Sequence, residues 1–143
     1  MATTGVYPCY ENQFKIGSSS EDAASIADVE TFSVSIDNGV EEWNPFDTAG
    51  WTRRLMTAKS ITISCTGKRN VGDTGNDFVA NLFMNNGRDS EVYFIWTFPD
   101  GATLAFEDAV CNVTNMGAGD STAVAPLEFE LMSNGKPTYT PAA

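Results

Sequence analysis

Alternation of apolar and polar residues is the dominant pattern of this chain, and it predicts β-strands. The pattern is clearest in residues 60–68, where Ile61, Ile63 and Cys65 fall on one face and serine and threonine side chains fall on the other. Three further segments share this period of two: 30–37, 92–98 and 127–131. A period of two residues is typical of strands with one buried face, so we predict a mainly β protein.

Turn and bulge signals punctuate these strands. Asn38-Gly39 predicts the end of the strand that begins near residue 30. Asn134-Gly135 predicts a tight turn after the last strand, followed by an extended tail. Residues 103–115 contain two apolar phases, and the switch between them near Glu107-Asp108 predicts a β-bulge.

One segment, residues 76–87, has helical spacing instead. Its apolar residues form a single stripe on a helix: Phe78, Val79, Leu82 and Phe83. We expect this stripe to be the core face of a short helix that packs on the sheet, because about three turns are too few to be stable alone. Asp73, Thr74 or Asp77 can cap the start of the helix. Gly87 can end it.

Together these elements predict one domain that spans residues 1–143. About six strands and one helix are expected. We predict two packed antiparallel sheets, sandwich-like or barrel-like, with the short α-helix on one flank.

Residues 40–59 combine many apolar side chains with helix breakers. Pro45 and Gly50 interrupt any helical register, so we interpret the segment as a long hairpin excursion. A long apolar loop needs a surface to cover it, and another subunit could supply that surface. The candidate contact residues are the following: Trp43, Phe46, Trp51, Arg53 and Arg54.

Composition narrows the range of functions. The 143 residues include no histidine, and 8 basic residues face 19 acidic ones, which gives a net charge of −11. Histidine is the commonest general base and metal ligand, and tight phosphate binding requires clustered Lys and Arg. The three cysteines lack C-x-x-C spacing, and neither a signal peptide nor a membrane span is evident. These features favour reduced, buried thiols in a cytosol and argue against membrane insertion.

No group of residues predicts catalysis, a cofactor or a metal. The acidic pairs Glu41-Glu42 and Glu107-Asp108 are typical of solvated surface. Glu128 and Glu130 share a strand face, whereas glycosidase carboxylates face each other across a cleft. Residues 73–77 faintly resemble a calcium loop but lack its later bidentate Glu. We therefore expect a protein that is not an enzyme.

The order of several segments resembles one protein family. The segments are 50–69 (GWTRRLMTAKSITISCTGKR), 75–83 (GNDFVANLF), 92–115 (VYFIWTFPDGATLAFEDAVCNVTN) and 125–140 (APLEFELMSNGKPTYT). In this order they resemble tail tube proteins, or major tail proteins, of long-tailed bacteriophages. Relatives of these proteins form the inner tubes of contractile tails and phage-derived bacteriocins.

The resemblance implies a structural virion protein. Six subunits would form a ring, and stacked rings would form a hollow tail tube through which phage DNA passes without specific binding. The implied partners are further copies of the chain and the tail tip or baseplate, tail terminator and tape measure proteins. The chain would assemble in the host cytoplasm and remain in the phage tail.

The resemblance also assigns roles to particular segments. Residues 40–59 become an inter-subunit stacking loop, and residues 134–143 become a C-terminal arm that adds to a neighbour's sheet. Residues 1–27 become a possible N-terminal arm. Glu128 and Glu130 would face the lumen. The alternative is a β-sandwich that binds carbohydrate or decorates a virion, with Trp43 and Trp51 as a sugar platform.

Overall fold

The computed structural model describes residues 5–142, which form a mainly β structure with one α-helix. The strands are β1 Gln13–Gly17, β2 Ala24–Ser25, β3 Val29–Trp43, β4 Arg53–Lys68, β5 Glu91–Thr97, β6 Thr103–Asn115, β7 Pro126–Met132 and β8 Thr138–Thr140. The helix α1 spans Thr74–Ala80. Among these residues, no helix is both long and apolar enough to cross a membrane.

The strands form one continuous antiparallel sheet rather than two separate ones. Their order is β2-β1-β5-β6-β7-β4-β3, and β8 pairs with the beginning of β6. The long strand β6 joins the two halves, because it pairs with β5 and β8 near its start and with β7 near its end. The sheet also curls. The rings of Phe14 on β1 and Phe32 on β3 lie 4.9 Å apart although five positions separate these strands in the order.

The bend in β6 lies at the predicted bulge. Val92 pairs with Ala109 and Phe94 pairs with Phe106, so β6 has one more residue than β5 across this interval. Glu107 and the residue after it are both exposed there, and the buried phase changes from even to odd positions. The bulge prediction is therefore confirmed.

The core lies inside the curl and follows the alternation of the sequence. On β7, Leu127, Phe129 and Leu131 are almost fully buried, as are Ile63 and Cys65 on β4. Burial of each large apolar side chain contributes about 1.5–3 kcal/mol. The central strands therefore supply most of the hydrophobic stabilisation.

The helix is shorter than its apolar stripe predicted. Asp73 caps α1 by accepting a hydrogen bond from the backbone N–H of Asn76 (3.0 Å). After Ala80 the chain continues as a 3₁₀ turn, Asn81–Met84. Three residues per turn align Leu82 with Val79 in the core, and they rotate Phe83 into solvent, where it is 51% exposed. Phe78 is partly buried against the core, so only Phe83 of the predicted face is placed incorrectly.

Strand β3 continues past its predicted end. Asn38-Gly39 forms no turn, and the strand pairs with β4 as far as Trp43. A register shift after Gly39 leaves one extra residue on β4. A Cβ atom on Gly39 would lie 2.9 Å from the Cβ of Ala58, so the glycine permits close approach of the two strands at this bulge.

Both predicted arms lie largely within the sheet. Gln13–Gly17 pairs with β5 and β2, and Ile16 is buried, so these residues are not an arm. The short alternation of Phe14 and Ile16 is the sequence signal for this strand. At the other end, Gly135 turns the chain at φ 84°, and Thr138–Thr140 pairs with β6 of the same chain instead of extending freely. Residues 1–4 and 143 of the proposed arms lie outside the described residues.

Candidate assembly surfaces: a projecting hairpin and a polar sheet face

The outer part of the β3–β4 hairpin projects from the body of the protein. Strand β7 pairs with β4 only between Thr62 and Lys68, so residues 37–60 pair only with one another. We call residues 37–60 the distal hairpin. A two-stranded ribbon is at best marginally stable in water by itself. The distal hairpin therefore needs a further surface to pack against.

The distal hairpin exposes a large set of apolar side chains. They are Val40, Trp43, Phe46, Trp51, Leu55 and Met56. Phe46 is fully exposed and Trp51 is 80% exposed. They lie on both faces of the ribbon, because Val40 pairs with Met56 whereas Leu55 pairs with Glu41. Large exposed apolar side chains gathered on one element mark interaction sites on soluble proteins.

The tip of the distal hairpin, residues 44–52, is an ordered turn. Phe46–Thr48 forms one 3₁₀ turn, and Gly50 adopts φ 88°, a conformation that favours glycine. The hydroxyl of Thr48 donates to the carbonyl of Trp51 (2.7 Å), and the Trp51 N–H donates to the Thr48 carbonyl (3.0 Å). These bonds order the backbone that carries the two exposed aromatic side chains at the end of the ribbon.

The two arginines of the predicted loop also lie on this ribbon. The guanidinium of Arg53 lies 5.8 Å from the ring centroid of Trp43, and Arg54 Nε is 3.0 Å from Glu42 Oε2. The structure thus brings all five predicted stacking residues onto one projecting element. Their role in stacking remains a prediction.

Glu128 and Glu130 lie on the sheet face opposite the core. Glu130 accepts hydrogen bonds from Asn112 Nδ2 (3.3 Å) and Ser64 Oγ (3.5 Å), and Glu128 pairs with Thr66. The pairing of β3, β4, β7 and β6 assembles a set of polar residues on this face: Thr31, Ser33, Ser35, Thr62, Ser64, Thr66, Asn112, Glu128 and Glu130. We call this set the polar face. Its charged members are these two carboxylates, and on β4 the same face continues to Lys68, whose Nζ lies 3.2 Å from Glu30 Oε1.

Asn76 fixes the root of the hairpin and carried no signal in the sequence. It is fully buried. Its Nδ2 donates to the carbonyls of Ala27 (3.0 Å) and Lys68 (2.9 Å), which lie just before β3 and at the end of β4. Its Oδ1 accepts from the Asn70 N–H and from Arg69 Nη1, both at 3.0 Å. One side chain thereby ties α1 to both strands of the hairpin.

Arg69 extends this junction toward the surface. Its Nη1 lies 2.7 Å from Asp77 Oδ1, and this hydrogen bond is the main cause that lowers the pKa of the Asp77 carboxyl. The pair is charged at neutral pH and holds the start of α1 against the end of β4.

The thiols differ from the sequence prediction at one position. Cys65 and Cys111 are buried, and burial raises the pKa of each thiol to about 12. Cys9 is exposed instead, because the 3₁₀ turn Cys9–Glu11 precedes β1 and buries none of its residues. Among residues 5–142, no group of three or more Cys, Asp or Glu residues is placed to hold a metal ion.

Comparisons with known proteins identify the fold. No protein-family description and no curated protein matches the sequence. Among solved structures, the chain is similar to one in the tail of an empty gene transfer agent particle, determined with C6 symmetry, with a TM-score of 0.76 and 19% identity over 95% of this chain and 100% of that one.

Two further solved structures share the fold. A chain in the virion of a native gene transfer agent particle has a TM-score of 0.73 and 17% identity, with coverage of 95% of this chain and 100% of that one. A chain in the tube-terminating cap of an anti-feeding prophage has a TM-score of 0.65 and 15% identity, with coverage of 99% and 95%. The eight-stranded sheet and its flanking helix therefore form a fold found in tail and tube structures.

Proposed function

We propose that this chain is a tail tube subunit, a structural protein without catalytic activity. Six copies form a ring, and rings stack into a hollow tube through which phage DNA passes. The observation that carries this proposal is the distal hairpin, an exposed apolar ribbon on a fold shared with a chain of a C6-symmetric tail.

The distal hairpin supports a role in stacking. Trp43, Phe46 and Trp51 give it aromatic side chains of the kind that dominate the energetics of protein interfaces. Covering them removes apolar surface from water and supplies the packing that an isolated ribbon lacks. In a tube, each subunit has neighbouring subunits that can cover these side chains.

The polar face supports a role as the lumen wall. A sheet with one face in the core and one face rich in hydroxyls and carboxylates fits a water-filled channel. Six chains of net charge −11 carry 6 × −11 = −66 formal charges per ring. Glu128 and Glu130 then repel the phosphates of passing DNA within a screening length of about 8 Å, so the DNA slides without adhering.

The proposal includes a place in a larger particle. The tube would meet a tail tip or baseplate at one end and a tail terminator at the other, and it would enclose a tape measure protein before DNA passes. Solved relatives of the fold lie in tails and in a tube cap, which supports these partner classes. The chain would be made in the host cytoplasm and end in the virion tail.

Light scattering of the purified protein across a concentration series tests the proposal. We expect masses of six chains and of larger multiples of six. A strict monomer at every concentration, even with tail-tip components added, would contradict a tube subunit. Specific glycan binding by such a monomer would favour the carbohydrate-binding alternative.

A further inference from the structure

A groove with aromatic walls opens where the two ends of the curled sheet meet. Its volume is about 500 Å³, within the range of 300–1,000 Å³ that is typical of ligand sites. The 3₁₀ turn before β1 forms one side, and the first residues of β3 form the other. We call it the root groove, after its place at the root of the hairpin; its principal lining residues are Cys9, Tyr10, Phe14, Asp28, Glu30 and Phe32.

Aromatic rings and carboxylates shape the root groove. Phe14 and Phe32 meet edge to face, and Phe32 also contacts Trp96 at 5.4 Å between ring centroids. Asp28 and Glu30 contribute carboxylates, and no Lys or Arg is among the lining residues. Within the chain, Glu30 Oε1 lies 3.2 Å from Lys68 Nζ and Asp28 Oδ2 accepts from Asn70 Nδ2 (2.7 Å), so the second oxygen of each carboxylate is left for an incoming cation. An aromatic side chain that carries a cation beside it matches this lining.

The root groove also has a free strand edge. Within residues 5–142, β3 pairs with β4 along one edge and with no other strand. Its first residues therefore have backbone N–H and C=O groups on that edge that are open to hydrogen bonds from a docked segment.

The tip of the distal hairpin has the complementary chemistry. Phe46 and Trp51 are exposed aromatic side chains on an ordered turn. Arg53 follows them, and it lies over Trp43 without a carboxylate within ion-pair distance among the described residues. The tip offers aromatic groups, and the adjoining Arg53 offers a cation without a carboxylate partner among the described residues; these are the two features that the root groove can receive.

We propose that the tip of one copy docks in the root groove of another copy. This inference rests on the proposed tube function and names the surface that receives the stacking element. Phe32 and Trp43 are eleven residues apart on β3, so the groove and the tip are separated by about 36 Å at 3.3 Å per residue. A contact between different surfaces at opposite ends of a molecule is heterologous and repeats along a polymer.

The exposed Cys9 in the root groove provides the test. Asp47 is exposed in the tip and has no side-chain hydrogen bond, so Asp47→Cys leaves the fold intact. The variant is assembled at a concentration that gives tubes, oxidised mildly and run on a non-reducing gel. Because each chain carries one groove thiol and one tip thiol, we expect a ladder of dimers, trimers and longer disulfide-linked chains.

Two controls make the result specific. Cys9→Ser in the Asp47→Cys background must abolish the ladder, leaving at most dimers from tip-to-tip contact. Arg88→Cys places the new thiol before β5, at the end of that strand opposite to the one that pairs with Gln13, and must give no ladder.

Each outcome decides a different point. Tubes that form without a ladder overturn the tip-to-groove contact and leave the proposed tube function standing. If no assembly forms under any condition, both the contact and the tube function are contradicted. A ladder that survives Cys9→Ser also overturns the contact, because the root groove would then not be the receiving surface.

Discussion

At the scale of single residues, one buried asparagine joins three segments of the architecture. Three of the four hydrogen bonds of Asn76 satisfy backbone groups at both strands of the hairpin root and at the loop before α1, and the fourth is accepted from the Arg69 guanidinium. Such groups are costly to leave unpaired in the interior. The direction in which the hairpin projects therefore depends on this side chain.

Asn76→Ala should lower the free energy of unfolding by about 3 kcal/mol or more, because it leaves buried carbonyls and an N–H group without partners. Urea titration of unassembled protein, in a Trp51→Ala background, measures the change. Asn112→Ala is the matched control, since it removes one long hydrogen bond at an exposed position and should change stability by less than about 0.5 kcal/mol. Equal effects of the two substitutions would contradict the role of Asn76.

The thiols give a second prediction at this scale. A maleimide at neutral pH should modify Cys9 alone in the folded protein, because burial keeps Cys65 and Cys111 protonated and out of contact with the reagent. Mass spectrometry should show one adduct before denaturation and three after it. Rapid addition of three adducts to the folded chain would show that the core opens far more readily than its packing implies.

At the scale of elements, we expect the exposed side chains of the distal hairpin to affect assembly and not folding. Trp51 is 80% exposed and is not part of the core. Trp51→Ala should therefore leave a folded protein with an almost unchanged melting temperature that no longer polymerises. Met84→Ala, which also removes an exposed apolar side chain, is the control and should assemble normally. Full-length tubes from Trp51→Ala would exclude the tip as the stacking element.

The sequence predicted those strands whose own alternation of apolar and polar residues agrees with their pairing in the sheet. Alternation located the core strands β4, β5 and β7, and the phase change at Glu107-Asp108 located the bulge in β6. Prediction from the sequence failed where pairing with a distant strand determines how far a strand extends. Asn38-Gly39 can form a turn by itself, yet β4 continues to pair beyond it, so the strand extends to Trp43. Likewise, β1 is short, and its brief alternation of Phe14 and Ile16 becomes a strand through pairing with β5 and β2.

The candidate assembly surfaces were likewise predictable only in part. An aromatic-rich excursion at residues 40–59 was evident from composition, since such side chains are rarely left in solvent. The root groove was not predictable, because it joins Tyr10 and Phe14 to Phe32 through the curl of the whole sheet. Phe83 was misplaced because the change from α to 3₁₀ geometry is set by packing rather than by its own sequence.

At the scale of the whole molecule, charge and curvature fit a conduit. The polar face carries the carboxylates of Glu128 and Glu130, while the opposite face forms the core. In the proposed ring, these carboxylates would repel the phosphates of DNA and keep the DNA mobile.

Reversing the charge of the wall should make the tube bind DNA. Glu128→Lys with Glu130→Lys should still assemble, but its tubes should retain DNA at low salt and release it as salt rises, because phosphate contacts are screened by salt. Particles built with this variant should deliver their genome more slowly. Glu21→Lys with Asp120→Lys makes the same charge change at two exposed positions outside the strands of the polar face and is the control. Normal delivery by the first variant would exclude a lumen position for the two glutamates.

The central claim is that the chain builds a hollow tube from six-membered rings. Negative-stain electron microscopy of the purified protein across a concentration series tests it most directly. We predict rings or hollow tubes whose end views have sixfold symmetry. Solid fibres, rings of another order, or isolated monomers at all concentrations even with tail-tip components added would contradict the claim.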